Sequence, residues 1–211
     1  NYIQVEVNPS AGNCSRVENN MTRKLFWTNP YQANAESRIV SVNDRLVILD
    51  ESIFFPCSGG QESDAGTIAG YPVIEARKVG LDIEYLMPEN HLLKQRQEVS
   101  SQIDWDRRYR LMRLHFAAEL VLELMYQRLS GIEKIGAHIA EDKARIDFNW
   151  PTSISPLLPE ITAEADALIE KDFKITSAFS DEQGEQRFWQ IEGFAKVPCG
   201  GTHLKTTGEV G

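Results

Sequence analysis

Two pairs of side chains in this sequence have the types and the spacing of a chemical site. His115 and Glu119 lie four residues apart in a stretch with helical periodicity, so both project from one helical face, one turn apart. Cys199 and His203 are also four apart, in a Pro-Cys-Gly-Gly-Thr-His loop whose adjacent glycines allow a tight turn. If the two pairs meet in space, their imidazoles, thiolate and carboxylate form a set that suits zinc.

Each pair also has a plainer interpretation. On a buried helix, His115 and Glu119 can form a simple ion pair, because an isolated buried charge is costly. Cys199 and His203 can be a buried thiol beside an exposed loop histidine, or a cysteine nucleophile with a histidine base. We rank the nucleophile lower, because nothing in the sequence supplies the third group that would orient the base.

A glycine-rich loop at 58–66 contains a further candidate, Gln61. This residue follows Gly59 and Gly60, where the backbone can approach a ligand closely because side chains are missing. The loop is not a P-loop, since no Gly-Lys-Ser/Thr follows. A hairpin with glycine at positive φ explains the same residues, so the loop pattern alone is a weak signal.

One predicted helix carries the first pair. Apolar residues recur at helical spacing over 108–130, in two rows that cover most of the circumference, which predicts a largely buried helix. Asp104 is a suitable N-cap, and Gly131 lies just past the end, where helices commonly stop. The helix is therefore expected to hold His115 and Glu119 inside the protein.

The segments on either side of this helix differ in pattern. Short strands are predicted at 25–27, 37–42 and 45–50, the last two as a hairpin, and a glycine-rich loop and further short strands follow. Many short strands with glycines among them predict a small β-barrel before the helix. After it, a hairpin, a second amphipathic helix at 161–173 and further strands predict a helix-on-sheet region. The expected fold class is α+β, with a small N-terminal β-barrel domain followed by a helix-on-sheet domain.

These patterns divide the chain into three parts. Residues 1–21 are polar and are expected to form an N-terminal extension. Residues 22–98 are assigned to the glycine-rich β-barrel domain, and residues 99–211 to the α+β, metal-binding domain. The boundary is placed in the polar segment that follows Pro88.

Composition limits the cellular setting. The chain has 211 residues and no apolar run of the roughly 20 residues that span a bilayer. Three cysteines without Cys-x-x-Cys spacing argue against a disulfide framework, and the N-terminus lacks the pattern of a secretory signal. We therefore expect a cytoplasmic protein, with neither a membrane nor DNA as partner.

The charge distribution leaves room for a local contact with RNA. A net charge of −9 argues against a general nucleic-acid coat protein, but not against an enzyme with a basic patch. A solvated helix face balanced by Asp104 and Asp106 is the alternative interpretation of such a patch. The candidate tRNA-binding residues are Arg107, Arg108, Arg110 and Arg113.

Four stretches together resemble the alanyl-tRNA editing family, which includes free-standing trans-editing proteins related to the editing domain of alanyl-tRNA synthetase. The resemblance covers the chain from about residue 22 to the end, and the Cys-Gly-Gly-Thr-His element is its most specific part. The stretches are SIFFPCSGGQESDAGTI at 52–68, IDWDRRYRLMRLHFAAEL at 103–120, AHIAEDKARIDFNW at 137–150 and FWQIEGFAKVPCGGTHLKTTGEVG at 188–211.

The resemblance implies zinc-dependent hydrolysis of the ester in misacylated tRNA, with serine or glycine on tRNA for alanine as the usual substrate. By position, His115 matches the first helix ligand, and Cys199 and His203 match the second pair of ligands. Gln61 matches a Gly-Gly-Gln element that faces the editing pocket, and Thr202 is expected to help read a substrate hydroxyl. Residues 99–211 are then the editing domain, and the acceptor end of tRNA is the partner.

One departure from the family pattern matters most. Glu119 occupies the position where the resemblance implies a second helix histidine. A carboxylate is an acceptable zinc ligand, so we expect one zinc ion per chain with Glu119 as the fourth contact. If Glu119 only pairs with His115, the chain is instead a silent tRNA- or partner-binding module. A third alternative is a hydrolase of small aminoacyl esters or amides.

Overall fold

The computed structural model describes residues 21–211, in which the chain forms fourteen β-strands and three α-helices. The extension predicted at 1–21 lies outside the described residues, apart from Met21. Within the described range, no helix is both long and apolar enough to cross a membrane. The described chain is thus a mixed structure of strands and helices, as the predicted α+β class requires.

The first region is built mainly from antiparallel strands. Its elements are β1 (Arg23–Lys24), α1 (Leu25–Thr28), β2 (Asn34–Asn43), β3 (Leu46–Leu49), β4 (Glu51–Ser52), β5 (Gly66–Ile68), β6 (Tyr71–Pro72), β7 (Glu75–Val79), β8 (Asp82–Leu86) and β9 (Glu98–Ile103). The hairpin predicted from 37–42 and 45–50 is confirmed by β2 and β3. The predicted strand at 25–27 is wrong, because a short apolar run does not distinguish a strand from one helical turn.

Seven of these strands form one curled sheet in the order β6-β5-β9-β2-β3-β8-β7. Strand β2 pairs with β9 through residues 34–38 and with β3 through residues 39–43, with a bulge between Ile39 and Ser41. A bulge bends its strand, which explains why the sheet curls there. The order has two ends, β6 and β7, so closure into the predicted β-barrel is not confirmed.

The second region places helices against smaller sheets. Its elements are α2 (Trp105–Arg128), β10 (Glu133–Ile139), β11 (Ala144–Asn149), a 3-10 turn (Ser155–Leu157), α3 (Leu158–Glu170), β12 (Thr176–Asp181), β13 (Gln186–Ile191), β14 (Ala195–Pro198) and a second 3-10 turn (Thr207–Val210). Helix α2 is the helix predicted from the apolar pattern, and the Asp104 side chain caps it by accepting from the Arg107 N–H at 3.1 Å.

The core of the second region joins α2 to the sheet β12-β13-β14. Phe116 of α2 packs edge-to-face on Trp189 of β13, with ring centroids 5.2 Å apart, and both side chains are fully buried. Leu120 of α2 and Ile191 of β13 belong to the same buried cluster. This packing fixes the orientation of α2 relative to the strands that precede the Cys199 loop.

Two backbone hydrogen bonds join the regions next to the candidate residues. The loop that contains Gly60 hydrogen-bonds to β10: the Ile139 N–H donates to the Gly60 carbonyl at 2.8 Å, and the Glu62 N–H donates to the Ile139 carbonyl at 3.0 Å. Strand β9 begins at Glu98 and pairs with β2 and β5 of the first sheet. The domain boundary at 98–99 therefore falls at the start of a strand, and the division into domains stays a prediction.

Candidate metal centre

The two pairs of residues meet. Helix α2 presents His115, and the loop after β14 presents Cys199 and His203. The Sγ of Cys199 lies 3.4 Å from Nε2 of His115 and 3.2 Å from Nε2 of His203. One ligand atom from each of the three residues lies within 4.8 Å of the other two, a separation that lets all three bind one metal ion.

Glu119 adds a carboxylate beside two of these residues. Its Oε1 is 3.4 Å from Nε2 of His115 and 3.8 Å from Sγ of Cys199. Its Oε2 points the other way and accepts a hydrogen bond from Nε1 of Trp189 at 2.9 Å. One oxygen of Glu119 therefore faces the cluster while the second is held by the core.

Both imidazoles are oriented through their other ring nitrogen. Nδ1 of His115 hydrogen-bonds to Oε1 of Gln61, and Nδ1 of His203 hydrogen-bonds to Oγ of Ser177 at 2.9 Å. Such contacts set the tautomer and the direction of a ligating histidine. Here they leave Nε2 of each ring directed at Cys199, which is the arrangement that two histidine ligands require.

The charges in the cluster are coupled. Burial lowers the pKa of His115, but hydrogen bonds and charge from Cys199 and Glu119 outweigh burial and raise the pKa to about 10. Burial raises the pKa of Glu119, but the hydrogen bond and charge of His115 and the Trp189 N–H lower it overall. Burial and the charges of His115 and Arg187 hold the pKa of His203 well below its usual range. The shifts of His115 and Glu119 are those of a buried ion pair between the two side chains.

Two glycines allow the close approach of the elements. A Cβ on Gly201 would lie 2.0 Å from Cε1 of His115, so this loop position accepts only glycine if the imidazole keeps its place. A Cβ on Gly60 would lie 2.4 Å from the Ala137 carbonyl oxygen, and its φ of +87° is one that glycine favours. At Gly201 and Gly60 the structure thus shows a close approach of another part of the chain, in addition to the tight turn and the approach of a ligand that the sequence predicts.

A cleft of about 330 Å³ opens beside the cluster, between the two regions. His115, Glu119 and Cys199 form part of its wall. The cleft is also lined by aromatic and lysine side chains from the first region and β10, namely Phe26, Trp27, Phe55, Lys24, Lys78 and Lys134. A smaller cavity of about 30 Å³ adjoins Gln61, His115 and Glu119. The cluster is thus reachable from a cleft large enough for a small polar group.

Gln61 and Thr202 occupy different places around the cluster. Gln61 is buried and lines the small cavity, and its Nε2 has no hydrogen-bond partner among residues 21–211. Thr202 is buried as well, and its Oγ1 is also without a partner in the described part of the chain. Thr202 is not part of the wall of the 330 Å³ cleft, although its neighbours Gly200 and Gly201 are.

The arginine patch is largely neutralised. Arg107 pairs with Glu62 at 2.7 Å and with Glu141 at 2.9 Å, and Arg110 pairs with Glu141 at 2.8 Å. The acids that balance these arginines are therefore Glu62 and Glu141, whereas the sequence suggested Asp104 and Asp106. Nε of Arg113 donates to the Val210 carbonyl at 2.8 Å.

Arg108 corrects the predicted tRNA-binding set. Its side chain is fully buried, pairs with an equally buried Asp64, and donates to the carbonyls of Ile53 and Pro30 at 2.6 Å and 2.8 Å. A guanidinium enclosed in this way cannot contact a phosphate at the surface. Its position between α2 and the first region makes Arg108 a structural residue.

Sequence reasoning missed the partners that hold the ligands. Ser177 lies on β12, and Arg187 and Trp189 lie on one face of β13, because side chains alternate along a strand. Arg187 is buried and donates to the carbonyls of Trp27 at 2.9 Å and Gly201 at 3.3 Å. Arg187 lies two residues before Trp189 in a predicted strand, so the alternation of side chains could have indicated that Arg187 shares the buried face of Trp189.

Comparison with known proteins finds no matching family model, but it does find similar sequences. The alanyl-tRNA editing protein AlaX-M of Pyrococcus horikoshii is 31% identical over 195 residues, which are 91% of this chain and 89% of that protein. A protein of the same name from Methanosarcina barkeri is 32% identical over 220 residues, with 90% of each chain covered. The alanine–tRNA ligase of Ignicoccus hospitalis is 34% identical over 217 residues, which are 90% of this chain but 24% of the ligase.

Proposed function

Because the chain belongs to the alanyl-tRNA editing family, we propose that it hydrolyses, in trans, the ester that joins a wrong amino acid to the 3′ end of tRNA. Serine or glycine on tRNA for alanine is the proposed substrate. The observation that carries the proposal is the convergence of His115, Cys199 and His203 beside a cleft whose wall includes His115 and Cys199. The similar ligase region supports the same assignment, although the chain spans only 24% of that ligase.

The residues present fit a zinc ion. Two imidazole nitrogens and a thiolate converge, and each imidazole is held by a hydrogen bond on its other nitrogen. The proposed ligands are His115, Cys199 and His203, with Oε1 of Glu119 as the fourth contact. Zinc bound there supplies positive charge that polarises the ester carbonyl or lowers the pKa of a water molecule.

Selection of the amino acid is proposed to rest on Gln61 and the small cavity. An apolar pocket alone discriminates poorly between side chains that differ by one hydroxyl, which is why a second, hydrolytic step is needed in tRNA charging. Nε2 of Gln61 is a buried donor without a partner among residues 21–211, and it lies at a cavity sized for a small side chain. A serine hydroxyl that accepts from Gln61 would satisfy this donor, and the alanine methyl would not. Thr202 lines neither this cavity nor the cleft, but its Oγ1 is buried without a partner among residues 21–211, and Thr202 is proposed to help read the substrate hydroxyl from the ligand loop.

Contact with tRNA is proposed to involve Lys134 at the cleft together with arginines of the patch. Lys134 is exposed and its charge helps to lower the pKa of Glu119, whereas Lys24 is buried and both Lys24 and Lys78 pair with Glu185. Arg110 has a side chain that is 59% exposed, so it remains available to a phosphate. Arg107 and Arg113 stay in the proposed set with Arg110.

The proposal is tested by deacylation of Ser-, Gly- and Ala-tRNA, each prepared on tRNA for alanine, with zinc-loaded protein. We expect faster release of serine or glycine than of alanine, and loss of this activity in His203→Ala. His91→Ala is the matched control, because His91 is a half-buried histidine that hydrogen-bonds to the Asp44 carbonyl in the first region and lies outside the cluster. No release above the protein-free rate would reject the proposal.

Metal analysis separates the proposal from the silent-module alternative. We expect about one zinc per chain in the purified protein and in His91→Ala, and a loss of zinc in His203→Ala. Protein that binds tRNA but takes up no zinc would instead support a silent binding module. Hydrolysis of a small aminoacyl ester that intact tRNA does not inhibit would support the small-ester alternative.

A further inference from the structure

We propose that Trp189 is a positioning residue that holds one oxygen of Glu119 in the core, so that the other oxygen alone faces the ligand cluster. The inference rests on the proposed metal site and concerns how this chain accommodates a carboxylate there. It assigns a role to a residue that touches no substrate and is not itself a ligand.

The contact is specific. Nε1 of Trp189 donates to Oε2 of Glu119 at 2.9 Å, while Oε1 lies 3.4 Å from Nε2 of His115 and 3.8 Å from Sγ of Cys199. The two oxygens of one carboxylate thus have different neighbours. A hydrogen bond to Oε2 opposes the rotation that would bring both oxygens to the cluster, so Glu119 is set up to contribute a single oxygen.

The indole itself cannot easily move. Trp189 is fully buried in the centre of β13, and its ring packs edge-to-face on Phe116 of α2. A buried indole N–H needs an acceptor, because the group has lost its contact with water. Since α2 carries both Phe116 and Glu119, the same packing that fixes the indole also brings its acceptor within reach.

Positions 119 and 189 therefore depend on each other. A histidine at position 119, which the family resemblance led us to expect, would remove the carboxylate that accepts from Trp189. Replacing Glu119 by the expected histidine is consequently not predicted to improve the site in this chain. Outer partners of this kind have measurable effects, because their loss typically lowers metal affinity by about 10–100-fold.

The test measures zinc affinity by competition with a chromophoric chelator. Trp189→Phe keeps an aromatic ring in the core but removes the N–H, and we expect an affinity about 10–100-fold lower than wild type. In a Glu119→Ala background, the same change should produce little further loss, because the acceptor is already absent. Trp150→Phe is the matched control, since Trp150 packs in a separate cluster beside Ile161 and should leave the affinity unchanged.

The outcomes are distinct. Wild-type protein that binds no zinc would reject the proposed function itself. Wild-type protein that binds zinc, with Trp189→Phe binding equally well, would reject the role of Trp189 alone. An equal loss of affinity in the wild-type and Glu119→Ala backgrounds would assign Trp189 to packing and also reject the inference.

A second measurement needs no change at Trp189, in case Trp189→Phe does not fold. The indole N–H of each tryptophan gives a separate nuclear magnetic resonance signal. We expect zinc to shift the Trp189 signal in wild-type protein and to leave it in place in Glu119→Ala. A Trp189 signal that does not respond to zinc in wild-type protein would overturn the inference.

Discussion

The Sγ of Cys199 lies 3.4 Å from Nε2 of His115, although 84 residues separate them along the chain. Helix α2 and the β13–β14 hairpin keep this distance short, because Phe116 and Trp189 pack together behind the two side chains. Changes to the loop, to the partners of the imidazole or to the contacts of α2 should therefore affect the site in different ways.

Removal of the thiolate should abolish tight metal binding. Cys199→Ser replaces a soft sulfur ligand by a neutral hydroxyl, which binds zinc poorly. Zinc should also stabilise the folded protein, by about 2.7 kcal/mol when its concentration is 100 times the Kd. We expect this zinc-dependent shift in unfolding temperature to vanish in Cys199→Ser and to persist in Cys57→Ser, because Cys57 is an exposed cysteine outside the cluster. A shift retained in Cys199→Ser would contradict the ligand assignment.

The two loop glycines before Thr202 should respond differently to alanine. A Cβ on Gly201 would meet the His115 ring at 2.0 Å, whereas a Cβ on Gly200 would have no heavy atom within 4 Å. Gly201→Ala should displace the imidazole and lower zinc affinity strongly, with a stability loss of about 1–3 kcal/mol from overpacking. Gly200→Ala provides the control, and similar zinc affinities in the two variants would refute the crowding argument.

Gln61 should influence both zinc affinity and amino-acid selection. Gln61→Ala removes the acceptor for Nδ1 of His115, so we expect zinc affinity to fall by about 10–100-fold. Gln61→Glu keeps an acceptor oxygen but lacks the amide donor, so zinc affinity should be largely retained while preference for Ser-tRNA over Ala-tRNA falls. Binding measurements combined with deacylation rates separate the two effects. Unchanged selectivity in Gln61→Glu would remove the amide donor from the mechanism.

The Arg108–Asp64 pair should matter for stability and not for tRNA binding. Both side chains are fully buried, so removing one partner leaves a buried charge without compensation. Arg108→Met should lower the free energy of unfolding by about 3–5 kcal/mol. Arg110→Gln should cost at most about 1 kcal/mol, because the Arg110–Glu141 pair is exposed. Denaturant unfolding measures both values, and equal losses would contradict the burial assigned to Arg108.

Glu209 should make stability depend on pH in the acid range. Burial raises the pKa of Glu209, but hydrogen bonds from Tyr31, from the Lys205 and Thr206 N–H groups and from Tyr109 outweigh burial and lower the pKa below the ordinary value of 4.5. A lowered folded-state pKa contributes stability that is present above about pH 4.5 and is lost as the pH falls through the folded-state pKa.

Glu209→Gln should therefore flatten this part of the stability profile. Glu192→Gln provides the control, because this exposed residue lies outside the hydrogen-bond network of Glu209 and its replacement also removes one carboxyl group. The measurement is the free energy of unfolding between pH 3 and pH 7, the approximate range over which carboxyl groups with ordinary and lowered pKa values titrate. A wild-type profile that does not change through this range would contradict the assignment of Glu209.

Local patterns in the sequence were sufficient to predict helix α2 and the spacing of the candidate ligands. The 3.6-residue period and the Asp104 cap identified α2, and the four-residue spacing placed His115 and Glu119 on one face of it. The Cys-Gly-Gly-Thr-His loop and the order of the four stretches indicated the family. These features depend on residues that are close in sequence, so they can be identified from periodicity and composition alone.

Only the tertiary structure decided which side chains meet and which are enclosed. Gln61, Ser177 and Trp189 hold the candidate ligands, although none is close to its partner in sequence. Arg108 belongs to an exposed-looking run of arginines, yet its side chain is fully buried because α2 packs on the loop that carries Asp64. Long-range packing determines such contacts, and the local sequence holds no periodic signal for them.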